Sequence, residues 1–224
     1  MTQHAPVLIV LLPLTASLLC MLFSRISKNL GSWIVMASIA GAFANACIVL
    51  QRVLESGGKT WHYWMGGWEP PIGIEFALDP LNSILAVVVT FISLMVSLYS
   101  RPFVKDEDWL HVGGYYTLFG LLTVGLSGMI ITGDVFNLYV YLEIMSLSGY
   151  GLIALGGRKS MLAAFRYLLI GTIGASLYLL GVGYLYAMTG TLNMADLAAR
   201  VVPHLNSPLF ALSLIHISEP TETC

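Results

Sequence analysis

Charge is scarce in this sequence. Only 10% of the 224 residues are Asp, Glu, Lys or Arg, whereas 57% are hydrophobic and the mean hydropathy is +0.82. Because soluble domains carry about a quarter charged residues, this composition excludes a soluble globular domain. The formal net charge of −2 provides no basic face, so nucleic acid is not an expected partner.

Motifs for metal, redox and hydrolytic chemistry are also missing. The three cysteines form no CxxC pair and no Cys/His cluster with metal-ligand spacing. No phosphate loop or nucleophile elbow occurs either. We therefore expect no metal, no cofactor and no soluble-enzyme activity. The five histidines all lie outside the long apolar stretches: His4, His62, His111, His204 and His216.

Six apolar stretches approach the roughly 20 residues that a helix needs to cross a bilayer. Since backbone groups in lipid must bond within their own segment, we predict that all six are transmembrane helices of an all-α integral membrane protein. The N-terminal pentapeptide MTQHA lacks the positive region of a signal peptide, which favours a retained first helix. The predicted helices are 6–23, 31–54, 80–100, 114–132, 135–155 and 161–188.

Lys and Arg are distributed unevenly among the connections. The second connection holds Lys59, with Arg52 at its edge, and the fourth holds none, so the positive-inside rule places the N-terminus outside. The second connection also concentrates Trp and Tyr, which suit a membrane interface. The first, third and fifth connections contain Arg25, Lys28, Arg101, Lys105, Arg158 and Lys159.

Glu143 lies near the middle of the fifth apolar stretch. A charge at that depth costs about 2.5 to 3.5 kcal/mol on insertion scales, so it marks a candidate functional site. A helical period places Tyr139, Ser146 and Tyr150 on its face. Their hydroxyls can both donate and accept, so this face predicts a proton relay centred on Glu143. The alternative is that Glu143 only pairs with a neighbouring helix in packing.

Arg166 is the other charge inside an apolar stretch. It lies about five residues from the predicted cytoplasmic end of the sixth helix, where its side chain can reach the interface. Contact with another helix or a neighbouring subunit is the functional alternative, and we include Arg166 as a supporting residue. Asp134 precedes the fifth helix and is predicted to cap it.

Two strings carry a family resemblance: TGDVFNLYVYLEIMSLSGYGLIALGG, and FRYLLIGTIGASLYLLGVGYLYAMTGTLNMADL after it. They resemble the proton-conducting antiporter-like subunits of complex I, membrane-bound hydrogenases and Mrp-type cation/proton antiporters. Together with GGWEPPIGIEFALDPLNSILAVVVTFISLMVSLYS, they look most similar to the D subunit of the Mrp antiporters. The resemblance implies that Glu143 is the essential acid of the fifth helix.

The resemblance also implies a subunit of about fourteen helices in inverted repeats, of which this chain holds the first part. The family pairs the fifth-helix acid with a lysine in the seventh helix, but no Lys follows Lys159 here. We expect residues 1–211 to form the N-terminal part of the transmembrane domain. The string HISEPTETC resembles translated sequencing-adapter read-through, so residues 212–224 are expected to be foreign.

Three functions follow as expectations. The first is a proton-translocating subunit of a multisubunit sodium or other monovalent cation/proton antiporter in a bacterial or archaeal plasma membrane. The second is a proton-pumping subunit of a redox complex of the complex I or hydrogenase type. The third is a membrane scaffold that transports nothing. The expected partners are the lipid bilayer, other membrane subunits, protons and monovalent cations.

Overall fold

The computed structural model describes residues 2–104 and 106–222, and these are almost entirely helical. Lys105 and Cys224 lie outside the described residues. Five helices are long and apolar enough to cross a membrane: α1 (Ala5–Ser24), α2 (Lys28–Glu55), α3 (Pro80–Val104), α4 (Trp109–Ile131) and α6 (Arg158–Thr189). A sixth, α5 (Val135–Ala154), is as long as α1 but less apolar because it contains Glu143, Asn137 and several tyrosines. The prediction of an all-α membrane protein is confirmed.

Helix ends extend beyond the apolar stretches in several places. Helix α3 continues to Val104 and α4 begins at Trp109, so Arg101 and His111 are helical rather than in the predicted connection. Helical hydrogen bonding does not stop where hydropathy falls, because polar side chains at a membrane interface remain solvated. The apolar pattern therefore locates each helix but underestimates the length of every one except α5, which ends one residue earlier than predicted.

The second connection contains a β-hairpin that the sequence analysis did not predict. Strand β1 (Trp61–Trp64) pairs antiparallel with β2 (Glu75–Leu78), with Trp61 opposite Leu78. Tyr63 stacks on Phe76 with ring centroids 6.4 Å apart, and Phe76 is fully buried. The hairpin thus closes one end of the helix bundle, which we call the hairpin end.

Two further helices follow α6. The first is α7 (Met194–Arg200), whose N-cap Asn193 accepts hydrogen bonds from the amides of Ala195 and Asp196. Helix α8 (Pro208–Glu222) then packs against α6. His216, which lies outside the six predicted helices, is therefore helical, and its ring contacts Tyr184.

The bundle has two buried cores, one at each end. Helix α1 packs against α2 and α4, α2 also packs against α3, and α5 lies between α4 and α6. The core at the hairpin end includes Ile9, Val49 and Ile131, whereas the opposite core includes Cys20, Ile39 and Tyr116. We call that opposite end the Arg101 end. This arrangement places one face of α5 against α6.

Close packing of α4 on α5 depends on glycine. A Cβ atom at Gly125 would lie 2.7 Å from the backbone nitrogen of Met145, closer than any real contact. A Cβ at Gly114, in the same helix, would meet nothing within 4 Å. Small residues at such crossings allow the backbones of membrane helices to approach each other.

We expect Gly125→Ala to destabilise the protein by about 1 to 3 kcal/mol, because the new methyl group pushes α5 away from α4. Gly114→Ala should be neutral or slightly stabilising, since alanine favours a helix by about 1 kcal/mol over glycine. Unfolding of the purified chain in mixed micelles, followed by circular dichroism, measures both. Equal stability of the two variants would show that the close approach is not required.

Candidate functional site

The face of α5 that carries Glu143 is turned toward α6. Tyr139 stacks on Tyr178 of α6 with ring centroids 6.3 Å apart and nearly parallel planes. About three turns further along, Tyr150 meets Tyr167 edge to face, with ring centroids 4.8 Å apart. Glu143 lies between these two contacts and is half-buried. We call the face formed by Tyr139, Glu143, Ser146 and Tyr150 the relay face, after its predicted role. It forms part of a helix interface rather than an outer surface.

A cavity of about 380 Å³ lies beside this interface. Ser146 and Tyr150 line it from α5, Gly171 and Tyr178 line it from α6, and Ile217 of α8 closes one side. Gly171 is needed here, because a Cβ at that position would overlap the hydroxyl of Tyr150. The structure thus brings two of the predicted relay residues to one cavity, and Tyr178 connects that cavity to Tyr139.

Glu143 and Arg166 do not meet. Within the described ranges, neither side chain makes a hydrogen bond or ion pair with another residue. Arg166 lies on the exposed face of α6, away from the cavity. Its supporting role stays a prediction, because the bundle itself gives it no contact with the relay face.

A second carboxylate, Glu75, is buried at the hairpin end and was missed by sequence reasoning. One of its carboxylate oxygens pairs with Nδ1 of His62, and the other accepts a 2.5 Å hydrogen bond from Nδ2 of Asn193. Its backbone carbonyl accepts a 2.9 Å bond from the amide of Gly133. Glu75 therefore connects the hairpin, the turn between α4 and α5, and the segment before α7.

The pattern of the strands was the available signal for Glu75. Strand β1 reads WHYW and β2 reads EFAL, which are short runs rich in aromatic and apolar residues, and Gly, Pro and Asp lie between and after them. Such short runs beside turn residues are typical of strands. The aromatic-rich composition of the second connection is equally typical of a loop at a membrane interface, so the sequence did not distinguish a strand from such a loop.

The turn between α4 and α5 leads from this cluster toward the relay face. Asp134 caps α5, as predicted, by accepting a 2.7 Å bond from the amide of Asn137. Nδ2 of Asn137 donates to the hydroxyl of Thr132 at 3.0 Å. Tyr178 donates to the carbonyl of Val135 at 3.1 Å. A series of polar groups therefore lies between Glu75 and Tyr178, the tyrosine that stacks on Tyr139.

Burial raises the pKa of the Asp134 carboxyl, and the amide hydrogen bonds from Asn137 and Phe136 only partly oppose this. No three His, Cys, Asp or Glu side chains come together as metal ligands in the part of the chain that the structure describes. The side chains of the relay residues that can exchange a proton are the carboxyl of Glu143 and the hydroxyls of Tyr139, Ser146 and Tyr150.

Helices that cross a membrane and an acid placed between them define a multi-pass membrane protein with an internal polar site. The family profile described as "NADH:quinone oxidoreductase/Mrp antiporter, TM" matches residues 132–218. A second profile, "NADH-Ubiquinone oxidoreductase (complex I), chain 5 N-terminus", matches residues 64–112. The first match includes the whole of α5 and α6.

Known proteins of three kinds are similar to this chain. The N subunit of the NADH-quinone oxidoreductase of Desulforudis audaxviator is 47% identical over 97% of this chain and 43% of its own length. The D subunit of the Na(+)/H(+) antiporter of Bacillus subtilis is 36% identical over 87% of this chain and 39% of its own length. A chain of an archaeal membrane-bound sulfane sulfur reductase superposes with a TM-score of 0.88 at 32% identity, covering 97% of this chain and 44% of that one.

The chain belongs to the family of antiporter-like membrane subunits that complex I and Mrp antiporters share, which confirms the resemblance. It spans less than half the length of the relatives it matches.

We expect Asp134→Asn to make stability less dependent on pH. Because the folded-state pKa of Asp134 is raised, this carboxyl favours folding when protonated, and stability falls as pH rises from about 3.9 through the raised value. Asparagine retains the capping acceptor and removes the ionisation, whereas Asp134→Ala loses the cap and about 1 kcal/mol at every pH. Thermal unfolding in detergent from pH 4 to 7 measures this; a wild-type chain that gains stability over Asp134→Asn with rising pH would contradict it.

Proposed function

We propose that the protein containing this chain is a proton-translocating subunit of a multisubunit membrane complex, with Glu143 on the proton path. The observation that carries the proposal is a half-buried carboxylate on a hydroxyl-bearing helix face, inside the segment that the family profile matches. Glu143 would alternate between protonated and ionised forms, and Tyr139, Ser146 and Tyr150 would pass the proton along the face.

The spacing of these groups suits a relay in steps. From Tyr139 to Tyr150 the helix rises about 16 Å, roughly half the thickness of the hydrocarbon core. Gaps between the side chains exceed a single hydrogen bond, so water in the cavity beside Ser146 and Tyr150 would complete the path. A cavity of about 380 Å³ has room for several water molecules.

The driving process has two candidates. Similarity to the B. subtilis antiporter protein supports exchange of protons for sodium or another monovalent cation. Higher identity to a component of an NADH-quinone oxidoreductase supports a redox-driven pump, in which the chain would belong to a translocating enzyme complex. Glu143 would have the same role in an antiporter and in a redox-driven pump, because its protonation and deprotonation do not depend on the source of energy. A non-transporting scaffold is the third possibility.

A chimera tests the role of Glu143. Residues 1–211 would replace the corresponding part of the B. subtilis antiporter protein in cells that contain the other antiporter subunits. We expect sodium-dependent proton flux in inverted vesicles, and a loss of at least tenfold in Glu143→Gln, because glutamine keeps the shape but exchanges no proton. Glu69→Gln, which changes an exposed carboxylate in the second connection, is the matched control and should retain full flux.

The amount of assembled complex, measured on native gels, must be equal in both variants. Normal assembly with undiminished flux in Glu143→Gln would reject the proton path and favour the scaffold. A parallel chimera with the NADH-quinone oxidoreductase relative, assayed for proton pumping driven by NADH, separates the two driving processes. Function in only one background would identify the complex type.

A further inference from the structure

A groove of about 490 Å³ lies at the Arg101 end, between the first turns of α2 and the last turns of α3. It is separate from the relay face, which involves α5, α6 and α8. Its lining residues are Asn29, Trp33, Met36, Leu98, Arg101 and Pro102. One end of the groove is therefore polar and the deeper part is apolar.

Arg101 is held at the groove by an aromatic ring. Its guanidinium carbon lies 4.2 Å from the centroid of Trp33, a cation–π contact that fixes the plane of the charged group. Within the described ranges, no hydrogen bond or ion pair involves the guanidinium of Arg101. A guanidinium is planar and has five N–H donors, two of which can bind a phosphate in a bidentate manner.

The N-terminus of α2 adds to the positive potential of this groove. Ser27, its N-cap residue, makes no side-chain capping bond, and Asn29 of the first turn lines the groove, so the positive end of the helix dipole lies at this site. Asp106, Glu107 and Asp108 follow α3 and are exposed, but none of them lines the groove. Their charges are solvated and screened within about 8 to 10 Å, whereas Arg101 is half-buried at the groove itself.

The apolar part of the groove continues toward the middle of the membrane. Met36 lies two helical turns deeper than Asn29, and Leu98 lies one turn deeper than Arg101. A headgroup phosphate at Arg101 would therefore place an acyl chain along Met36 and Leu98. Lys and Arg are concentrated at this end, which the positive-inside rule assigns to the cytoplasmic leaflet, where anionic lipids reside.

We propose that this groove binds one anionic phospholipid, with its phosphate on Arg101 and the first turn of α2 and an acyl chain against Met36 and Leu98. The combination of a donor-rich cation, a helix N-terminus and an apolar channel is complementary to such a lipid, whereas a soluble anion would leave the apolar channel empty. Proton transfer at Glu143 does not enter the proposal.

Native mass spectrometry of the full 224-residue chain tests it, with phosphatidylglycerol and phosphatidylcholine of identical acyl chains as probes. We expect one phosphatidylglycerol to be retained at least tenfold more than phosphatidylcholine, and Arg101→Gln to abolish the preference. Arg25→Gln is the matched control. Arg25 also lies over a tryptophan, 5.8 Å from the centroid of Trp109, but does not line the groove, so this variant should keep the preference.

A second variant guards against loss of folding. Leu98→Trp fills the apolar part of the groove and leaves the charge of Arg101 intact, and it should also abolish retention. Circular dichroism melting must be unchanged in at least one of these two variants. The proposal is overturned if Arg25→Gln and Arg101→Gln reduce retention equally, if phosphatidylcholine is retained as well as phosphatidylglycerol, or if inorganic phosphate at 10 mM displaces the lipid completely.

Discussion

Backbone hydrogen bonding inside the bilayer is the constraint on which the rest of this structure depends. Lipid tails offer no hydrogen-bond partners, so every backbone amide that faces the hydrocarbon core must bond within its own helix. The chain obeys this with long uninterrupted helices and confines its hairpin and turns to their ends. Polar side chains inside the membrane are consequently few, and each one requires a protein surface beside it. Helix α5 meets that requirement by lying between α4 and α6.

This constraint also explains how far the sequence predicts the fold. A transmembrane helix is determined locally, so hydropathy found all six helices, and the capping role of Asp134 followed from its position before α5. The partners of Glu75 are not local, because Asn193 lies 118 residues further along the chain. No pattern in either segment indicates that they meet. The cavity beside Ser146 was unpredictable for the same reason, since it depends on the crossing of α5, α6 and α8.

Glycine residues determine how closely neighbouring helices approach each other, which hydropathy does not predict. Gly125 lets α4 approach α5, and Gly171 lets the Tyr150 hydroxyl enter the space beside α6. In the sequence, both glycines are simply small residues within apolar helices. Why a glycine is required at each position becomes clear only when the facing helix is known, because a residue on that helix occupies the space. The geometry of the relay face therefore depends on two contacts between helices, which the sequence of one helix alone does not predict.

Glu75 and Glu143 have opposite chemical surroundings. Both carboxylate oxygens of Glu75 are paired, one with His62 and the other with Asn193. Removing these two side chains would leave a buried charge without a hydrogen-bond partner. A group held at both oxygens in this way joins segments that are distant in the sequence. Glu143 has no such bond within the described ranges, and it shares its helix face with Ser146 and Tyr150, which line the cavity. A proton carrier must change partners in each cycle, so the weaker anchoring of Glu143 fits the proton path proposed for it. The stronger anchoring of Glu75 fits a residue that holds the hairpin end closed.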